Sequence, residues 1–213
     1  MKLTKYTHAC VRLEDGGNSL VIDPGVFSEA AAALSGADGV LITHEHPDHL
    51  DADALRTAAA ANPNLRVWAP AGVAASLSDL GERVSVTAPG EQFDAVGFDV
   101  TTHGGQHALI HPLVPIVANI AYVINGTVLH PGDSFTVPAV PVQTLLLPLH
   151  APWSKVSEVI DFAVAVRAPQ IFQIHDSLLT DTGRAFSEGH VSRIAGSHGL
   201  AYRYLGPIES VTL

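Results

Sequence analysis

The chain has 213 residues, 47% of them hydrophobic, and a mean hydropathy of +0.26, enough to bury one core, short for two, and against disorder. Eleven basic residues against 21 acidic give a formal charge of −10, which excludes the basic stripe of a nucleic-acid surface. No apolar run reaches a membrane span, Met1-Lys-Leu-Thr-Lys-Tyr-Thr-His8 lacks the apolar core of a signal peptide, and the single Cys10 rules out an internal disulfide, so a reducing, cytoplasmic setting is expected.

In chain order, residues 2–14 read as a first strand, and Asp15-Gly16-Gly17-Asn18 turns the chain into a second strand over 19–23. Pro24-Gly25 breaks that strand, and Val26-Phe27 opens a loop. The run Asp38-Gly39-Val40-Leu41-Ile42 reads as a buried strand, and a helix with an acidic first turn spans 51–61 and ends near Asn62-Pro63. Strand 65–69, a short helix over 71–79 closed by Gly81 and strand 83–88 follow. The period then changes to 2: Gln92 to Ala95 and Phe98 to Thr102 read as antiparallel strands, and 119–125 with 127–130 as a hairpin around Asn125-Gly126. The last third alternates again, with strand 144–149, helix 154–167, strand 170–175, a helix near 184–197 and strand 201–205. This order fits an α/β chain built as a four-layer αββα sandwich: two sheets face to face with helices outside both. No linker, repeat or low-complexity tract divides it, so residues 1–213 are expected to form a single domain.

Between the strand at 38–42 and the helix at 51 lies Thr43-His44-Glu45-His46-Pro47-Asp48-His49. Three imidazoles and a carboxylate at positions 44, 46, 48 and 49 are side chains that bind a borderline-soft divalent metal. They sit at the carboxyl end of a strand, where sites in α/β sheets open. His44 and His46 can converge on one ion from an extended loop, while Asp48 and His49 continue toward the helix. The loop is too short to wrap one ion with all four, so the pattern suggests two ions side by side.

His44-x-His46-x-Asp48-His49 resembles the signature of the metallo-β-lactamase fold superfamily of metal-dependent hydrolases. That pattern asks for a His after the middle strands, an Asp in a Gly-Asp turn and a late His at a strand end. Gly105-Gln106-His107, Gly132-Asp133-Ser134 and Gln173-Ile174-His175 arrive in that order, so the resemblance spans the whole chain. It implies that His44, His46 and His107 hold a first metal, that Asp48, His49 and His175 hold a second, and that Asp133 bridges them. No Cys stands at a ligand position, which resembles the glyoxalase II and lactonase type of site. Zinc is the default for such donors, with manganese, iron or nickel open. Within the superfamily the chain most resembles the small branch that contains ascorbate-6-phosphate lactonase-like proteins.

Asp23 ends its strand just ahead of the metal loop, where a carboxylate can accept from the far nitrogen of a metal-bound His. His8, on the first strand, is assigned a supporting or substrate role, and His150 with Trp153 a wall that contacts substrate. His130 is expected to orient the Pro-Gly-Asp turn, His103 to be a core or edge residue, His111 a rim or structural one, and His190 and His198 to lie on the surface. Ser134 is read as a hydrogen-bond donor beside the site.

The chemistry implied by the resemblance is hydrolysis. Two ions share one water and lower its pKa toward about 7; the bridging hydroxide attacks an ester, lactone or phosphodiester, and Asp48 orients the nucleophile or takes its proton. The partner is a small-molecule substrate, with neither nucleic acid nor membrane, and a homo-oligomer is left open. The apolar segments 24–31 and 104–118 are expected to frame the pocket, with Lys155 the nearest cation. The alternatives are a mononuclear-iron dioxygenase or other oxidoreductase on the same fold, a nuclease, which the acidic charge disfavours, and a non-catalytic metal-binding protein.

Overall fold

The stretch 2–14, expected as one strand, is two in the computed structural model, which describes residues 1–213. β1 (Lys2–Lys5) and β2 (Val11–Asp15) pair antiparallel with Leu3 opposite Leu13. Between them Tyr6 N–H donates to the Cys10 carbonyl at 2.9 Å, and His8 takes a left-handed φ of 63°. The turn is held from outside, because Glu29 accepts from the Thr7 amide at 2.9 Å and from its hydroxyl at 2.8 Å. A contact of that kind leaves no local signal, and this turn carries His8 off the strand and toward the metal loop.

The turn at Gly16-Gly17 leads into β3 (Asn18–Ile22), and α1 (Ala30–Leu34) follows in a segment expected to be loop. β4 (Gly39–Leu41), α2 (Ala52–Ala61), β5 (Arg66–Ala69), α3 (Ala71–Ser76) and β6 (Val84–Val86) complete the first half. Asp51 caps α2 by accepting from Ala54 N–H at 2.9 Å. The helix expected over 71–79 stops at Ser76 and passes into a 3-10 turn over Ser78–Arg83, which Gly81 breaks at a φ of 60°.

The second half consists of β7 (Gln92–Ala95), β8 (Phe98–Gly104), β9 (Ile120–Ile124), β10 (Val128–His130), β11 (Thr144–Pro148), α4 (Val156–Val166), β12 (Gln170–Ile174), α5 (Asp181–Ser197) and β13 (Ala201–Arg203). Asn125 and Gly126 both have positive φ, as the type I′ turn between β9 and β10 requires. A last strand, β14 (Glu209–Thr212), absent from the sequence reading, pairs antiparallel with β1.

The strands form two seven-stranded sheets, β14-β1-β2-β3-β4-β5-β6 and β13-β12-β11-β10-β9-β8-β7. Side chains of period 2 explain the layers. Leu20 and Ile22 of β3 face the other sheet, meeting Leu13, Phe98, Val100, Tyr122 and Ile174 in the central core. Val21, between them, faces the helices and joins Val40, Leu55, Val67 and Leu77. On the far side Val123, Leu145 and Leu147 pack under Val159 and Phe162 of α4 and Val191 of α5. The architecture is therefore the αββα sandwich expected, and each fully buried Leu, Ile or Phe contributes about 1.5–3 kcal/mol. No helix is long and apolar enough to cross a membrane.

Two bonds tie the sheets together just below the metal loop. Tyr122 on β9 donates its hydroxyl to the Ile42 carbonyl at 2.9 Å, and Ile120 N–H donates to the Thr43 carbonyl at 2.9 Å. Both acceptors immediately precede His44.

Candidate metal centre

Seven donor residues arrive from strand ends of both sheets. His44, His46, Asp48 and His49 follow β4. His107 lies between β8 and β9, Asp133 follows β10 and His175 follows β12. Asp23, at the end of β3, is fully buried in a left-handed conformation with φ 52°. Its two oxygens pin the loop: they accept from Thr43 N–H at 2.8 Å, from Thr43 Oγ1 at 2.7 Å and from His49 Nδ1 at 2.7 Å.

The hydrogen bonds assign the imidazole tautomers. His49 Nδ1–H donates to Asp23, His107 Nδ1–H to the Ala108 carbonyl at 2.6 Å, and His175 Nδ1–H to the His150 carbonyl at 2.7 Å. With the Thr43 hydroxyl donating to Asp23, its oxygen accepts from His44 Nδ1 at 3.0 Å. Each bond leaves Nε2 as a bare lone pair aimed inward, the arrangement that metal-binding histidines require. His44 Nε2 and His46 Nδ1 stand 3.1 Å apart.

Asp133 stands between the groups. His49 Nε2 lies 3.0 Å from its Oδ1, while His107 Nε2 at 3.3 Å and His175 Nε2 at 3.2 Å face its Oδ2. His175 Nε2 is also 3.4 Å from Asp48 Oδ2. Tetrahedral bonds of about 2.0–2.1 Å put neighbouring donors about 3.3 Å apart, so these spacings are those of donors around shared ions. Donor atoms gather into two four-residue groups, His44/His46/His107/Asp133 and His8/Asp48/His49/His175, each with its atoms within 4.8 Å of one another.

The chemistry of the donors fits divalent ions. His49 Nε2, His107 Nε2, His175 Nε2 and Asp133 Oδ1 are buried with no hydrogen-bond partner. An unpaired buried polar atom costs about 1–3 kcal/mol, and four converging on one place are matched by cations and by little else.

The protonation balance says the same. Burial pulls the His175 imidazole down, but the Asp133 and Asp48 carboxylates outweigh it and leave it at about 9. His49 is raised as well, since Asp133 and Asp23 overcome its burial. His44 and His46 are lowered by burial first and then by neighbouring imidazoles. Burial opposes ionisation of Asp133 and Asp48, yet the surrounding histidines hold both below the usual carboxylate range. Without metal, the site therefore keeps protons on His175 and His49. A group raised when folded stabilises the fold below its unfolded pKa of about 6.5 and loses that contribution as pH rises through its folded value. The chelated protein is expected to lose melting temperature between pH 6.5 and 9, while the metal-loaded protein stays level over that range. Thermal denaturation of both forms across this range checks it.

The structure brings together all seven donors named from the sequence, with Asp23 and His8 against them. His8 is fully buried; its Nε2 lies 3.1 Å from Asp48 Oδ2 and its Nδ1 2.7 Å from Ser177 Oγ. Burial keeps His8 neutral, so the Ser177 hydroxyl donates to Nδ1 and Nε2–H donates to Asp48. His150 takes part through its carbonyl rather than its half-buried ring. Trp153, expected as part of a substrate wall, donates its indole N–H to Asp133 Oδ2 at 3.0 Å. His130 orients the Pro131-Gly132-Asp133 turn, taking the Gly132 N–H on Nδ1 at 3.2 Å while Nε2 reaches the Ala9 carbonyl at 2.9 Å. The Ser134 hydroxyl donates to the Pro131 carbonyl in the same turn. His103 sits at intermediate burial on β8 beside the Thr101 hydroxyl, and His111 caps its own loop by accepting from Leu113 N–H. His198 is exposed as expected, but His190 is half-buried against Phe186.

Two supports escaped the sequence reading. Asn119 holds Asp133 by accepting from its N–H at 3.0 Å while donating to the Pro131 carbonyl at 2.9 Å. Lys5, 2% exposed, pairs with Asp176 at 3.2 Å beside His175. An Asn at the head of a strand and a Lys in an alternating strand look ordinary, and only the partners 14 and 171 residues away give them meaning.

A family model described as a beta-lactamase superfamily domain matches residues 2–175. Protein Rv0786c of Mycobacterium tuberculosis is 34% identical over 199 residues, covering 91% of this chain and 92% of that protein. The UPF0173 metal-dependent hydrolase Atu1317 of Agrobacterium fabrum is 32% identical over 148 residues, 62% of this chain and 59% of that one. Among solved structures, Igni18, a metallo hydrolase of the archaeon Ignicoccus hospitalis, superposes with a TM-score of 0.76 at 19% identity, covering 100% of this chain and 97% of its own.

Proposed function

The chain belongs to the beta-lactamase superfamily, and from that premise we propose that it is a metal-dependent hydrolase that holds two divalent ions, zinc first among them, and cleaves an ester, lactone or phosphodiester with water. The observation that carries this reading is the set of four buried, unpartnered donor atoms among seven converging ligands.

His44, His46 and His107 would hold one ion, Asp48, His49 and His175 the other, and Asp133 would serve both. When bound, such a pair supplies Lewis acidity and brings the pKa of a shared water toward about 7. The chain's own part is to place groups. Asp48, held ionised by His175 and His8 and only partly buried, is the carboxylate positioned to accept the proton of the attacking water. The Ser177–His8 pair fixes which way Asp48 points. Trp153 and Asn119 fix Asp133 from two sides, so the carboxylate keeps its orientation through turnover.

The test is elemental analysis of protein purified without chelator, followed by assays on esters, lactones and phosphodiesters. About two zinc or manganese ions per chain, with turnover lost on chelation and restored by metal, is the expected result. One iron per chain with oxygen uptake would replace the reading by a dioxygenase. No retained metal, even after reconstitution, would leave a non-catalytic protein.

A further inference from the structure

Three loops carry or adjoin the donors, and each presents large apolar side chains to solvent. The loop after β3, which holds Asp23, exposes Val26 and Phe27; the loop of His107 exposes Leu109, Leu113 and Ile116; and the loop of His175 exposes Leu178. Leu113 is 86% exposed. Two of these loops touch the residues around the donors directly, and the third carries His107 itself. Phe27 packs edge-on against His8 with centroids 5.3 Å apart, Val26 N–H donates to the Pro47 carbonyl of the metal loop, and Ser177, next to Leu178, is bonded to His8. Trp153 adds an aromatic face beside His107 at 5.9 Å.

Charge at this mouth is as telling as apolarity. Segments 23–29, 105–119 and 175–180 contain no Lys or Arg. Lys155, two residues after Trp153, faces Glu158 at 3.6 Å, and Lys5 is buried on Asp176. A phosphate- or carboxylate-bearing body would be gripped by Arg or Lys. Exposed Leu, Ile and Phe around a polar reacting centre instead fit a ligand with a polar head and an aliphatic tail.

We propose that the rim formed by Val26, Phe27, Leu109, Leu113, Ile116 and Leu178 is the acyl-chain subsite of the enzyme, and that its substrate is an uncharged ester or lactone bearing an aliphatic chain. This rests on the hydrolase reading above and narrows it. The scissile carbonyl lies over the donors while the chain runs outward along the rim, so each methylene taken from water adds affinity.

The experiment measures two series on the metal-loaded protein. Linear alkyl hydroxamates of two to ten carbons are titrated by calorimetry, and p-nitrophenyl esters of the same chain lengths are assayed for kcat/KM. Hydroxamate affinity is expected to rise about two- to fourfold per methylene over the middle of the series, with kcat/KM rising in parallel. Leu113→Ser with Ile116→Ser should flatten both series, and Val86→Ser, on the edge strand β6, should leave both slopes as they were. Hydroxamates that climb with chain length while no ester is turned over would uphold the rim and sink the hydrolase reading. Esters hydrolysed with flat series would sink the rim and keep the hydrolase. Flat series in a chain that sediments as a dimer would assign the loops to a second copy and overturn the proposal.

Discussion

Asp133→Ala is expected to abolish turnover, lowering kcat by about 10³-fold or more, and to reduce bound metal from the proposed two ions per chain to one or fewer. Asp133 is the one carboxylate that faces histidines of both groups, His49, His107 and His175, and it is 3% exposed. Its removal takes away the negative charge that would offset the two proposed cations among buried histidines. It also leaves the Trp153 indole N–H without its acceptor and raises the cost of burying the neighbouring imidazoles. None of the three hydrophobic clusters includes Asp133, so circular dichroism should report an intact sandwich. Asp133→Asn, of the same shape but uncharged, should fall between the two in metal content. Two ions per chain with wild-type turnover in Asp133→Ala would mean that the centre lies elsewhere.

Gly25→Ala is expected to be the most damaging single-methyl change in the chain, costing about 3 kcal/mol or more and weakening metal retention at the same time. The hydrogen it replaces points at the backbone of the metal loop: a Cβ there would overlap the carbonyl of Asp48 and the amide nitrogen of His49. Backbone cannot swing aside as a long side chain can. The loop after β3 and the metal loop must part, which would break the bond from Val26 N–H to Pro47 and that from Asp51 N–H to Pro24. Gly16→Ala is the comparison. That glycine is left-handed with φ +57°, but nothing lies within 4 Å of the added methyl, so only the backbone penalty of about 1 kcal/mol applies. Urea midpoints for both variants, with and without metal, test the ordering; equal losses would show that the close approach at Gly25 is not what sets the cost.

The candidate centre was legible in the sequence because its donors stand at short spacings. Four ligand-type side chains between His44 and His49, flanked by an apolar strand and a capped helix, leave few other uses for that loop. His107, Asp133 and His175 were recognisable because each closes a strand in the order the family pattern demands. The sandwich followed from the order of strands and helices along the chain, and the cores on either side of β3 are its two inner layers of packing. Features set by partners distant in sequence stayed hidden. The turn that frees His8 depends on Glu29, and the burial of Lys5 depends on Asp176. β14, Glu-Ser-Val-Thr, has one strong strand former and earns its place by pairing with β1. Trp153 was expected beside the site, but nothing in the sequence says that its indole would reach the Asp133 carboxylate.

The division of the donors between the two sheets has a consequence for biosynthesis. His44 to His49 leave the ribosome about 125 residues ahead of His175, roughly 6–25 s earlier at ordinary elongation rates. In that interval the first cluster is a loose His-rich segment without Asp133 or His175, and neither group of donors is complete. Nor can Tyr122 and Ile120 fasten the metal loop until the second sheet has begun to form. Stable ion capture at the proposed centre therefore belongs to the finished chain, where protons on His49 and His175 hold the place until an ion displaces them.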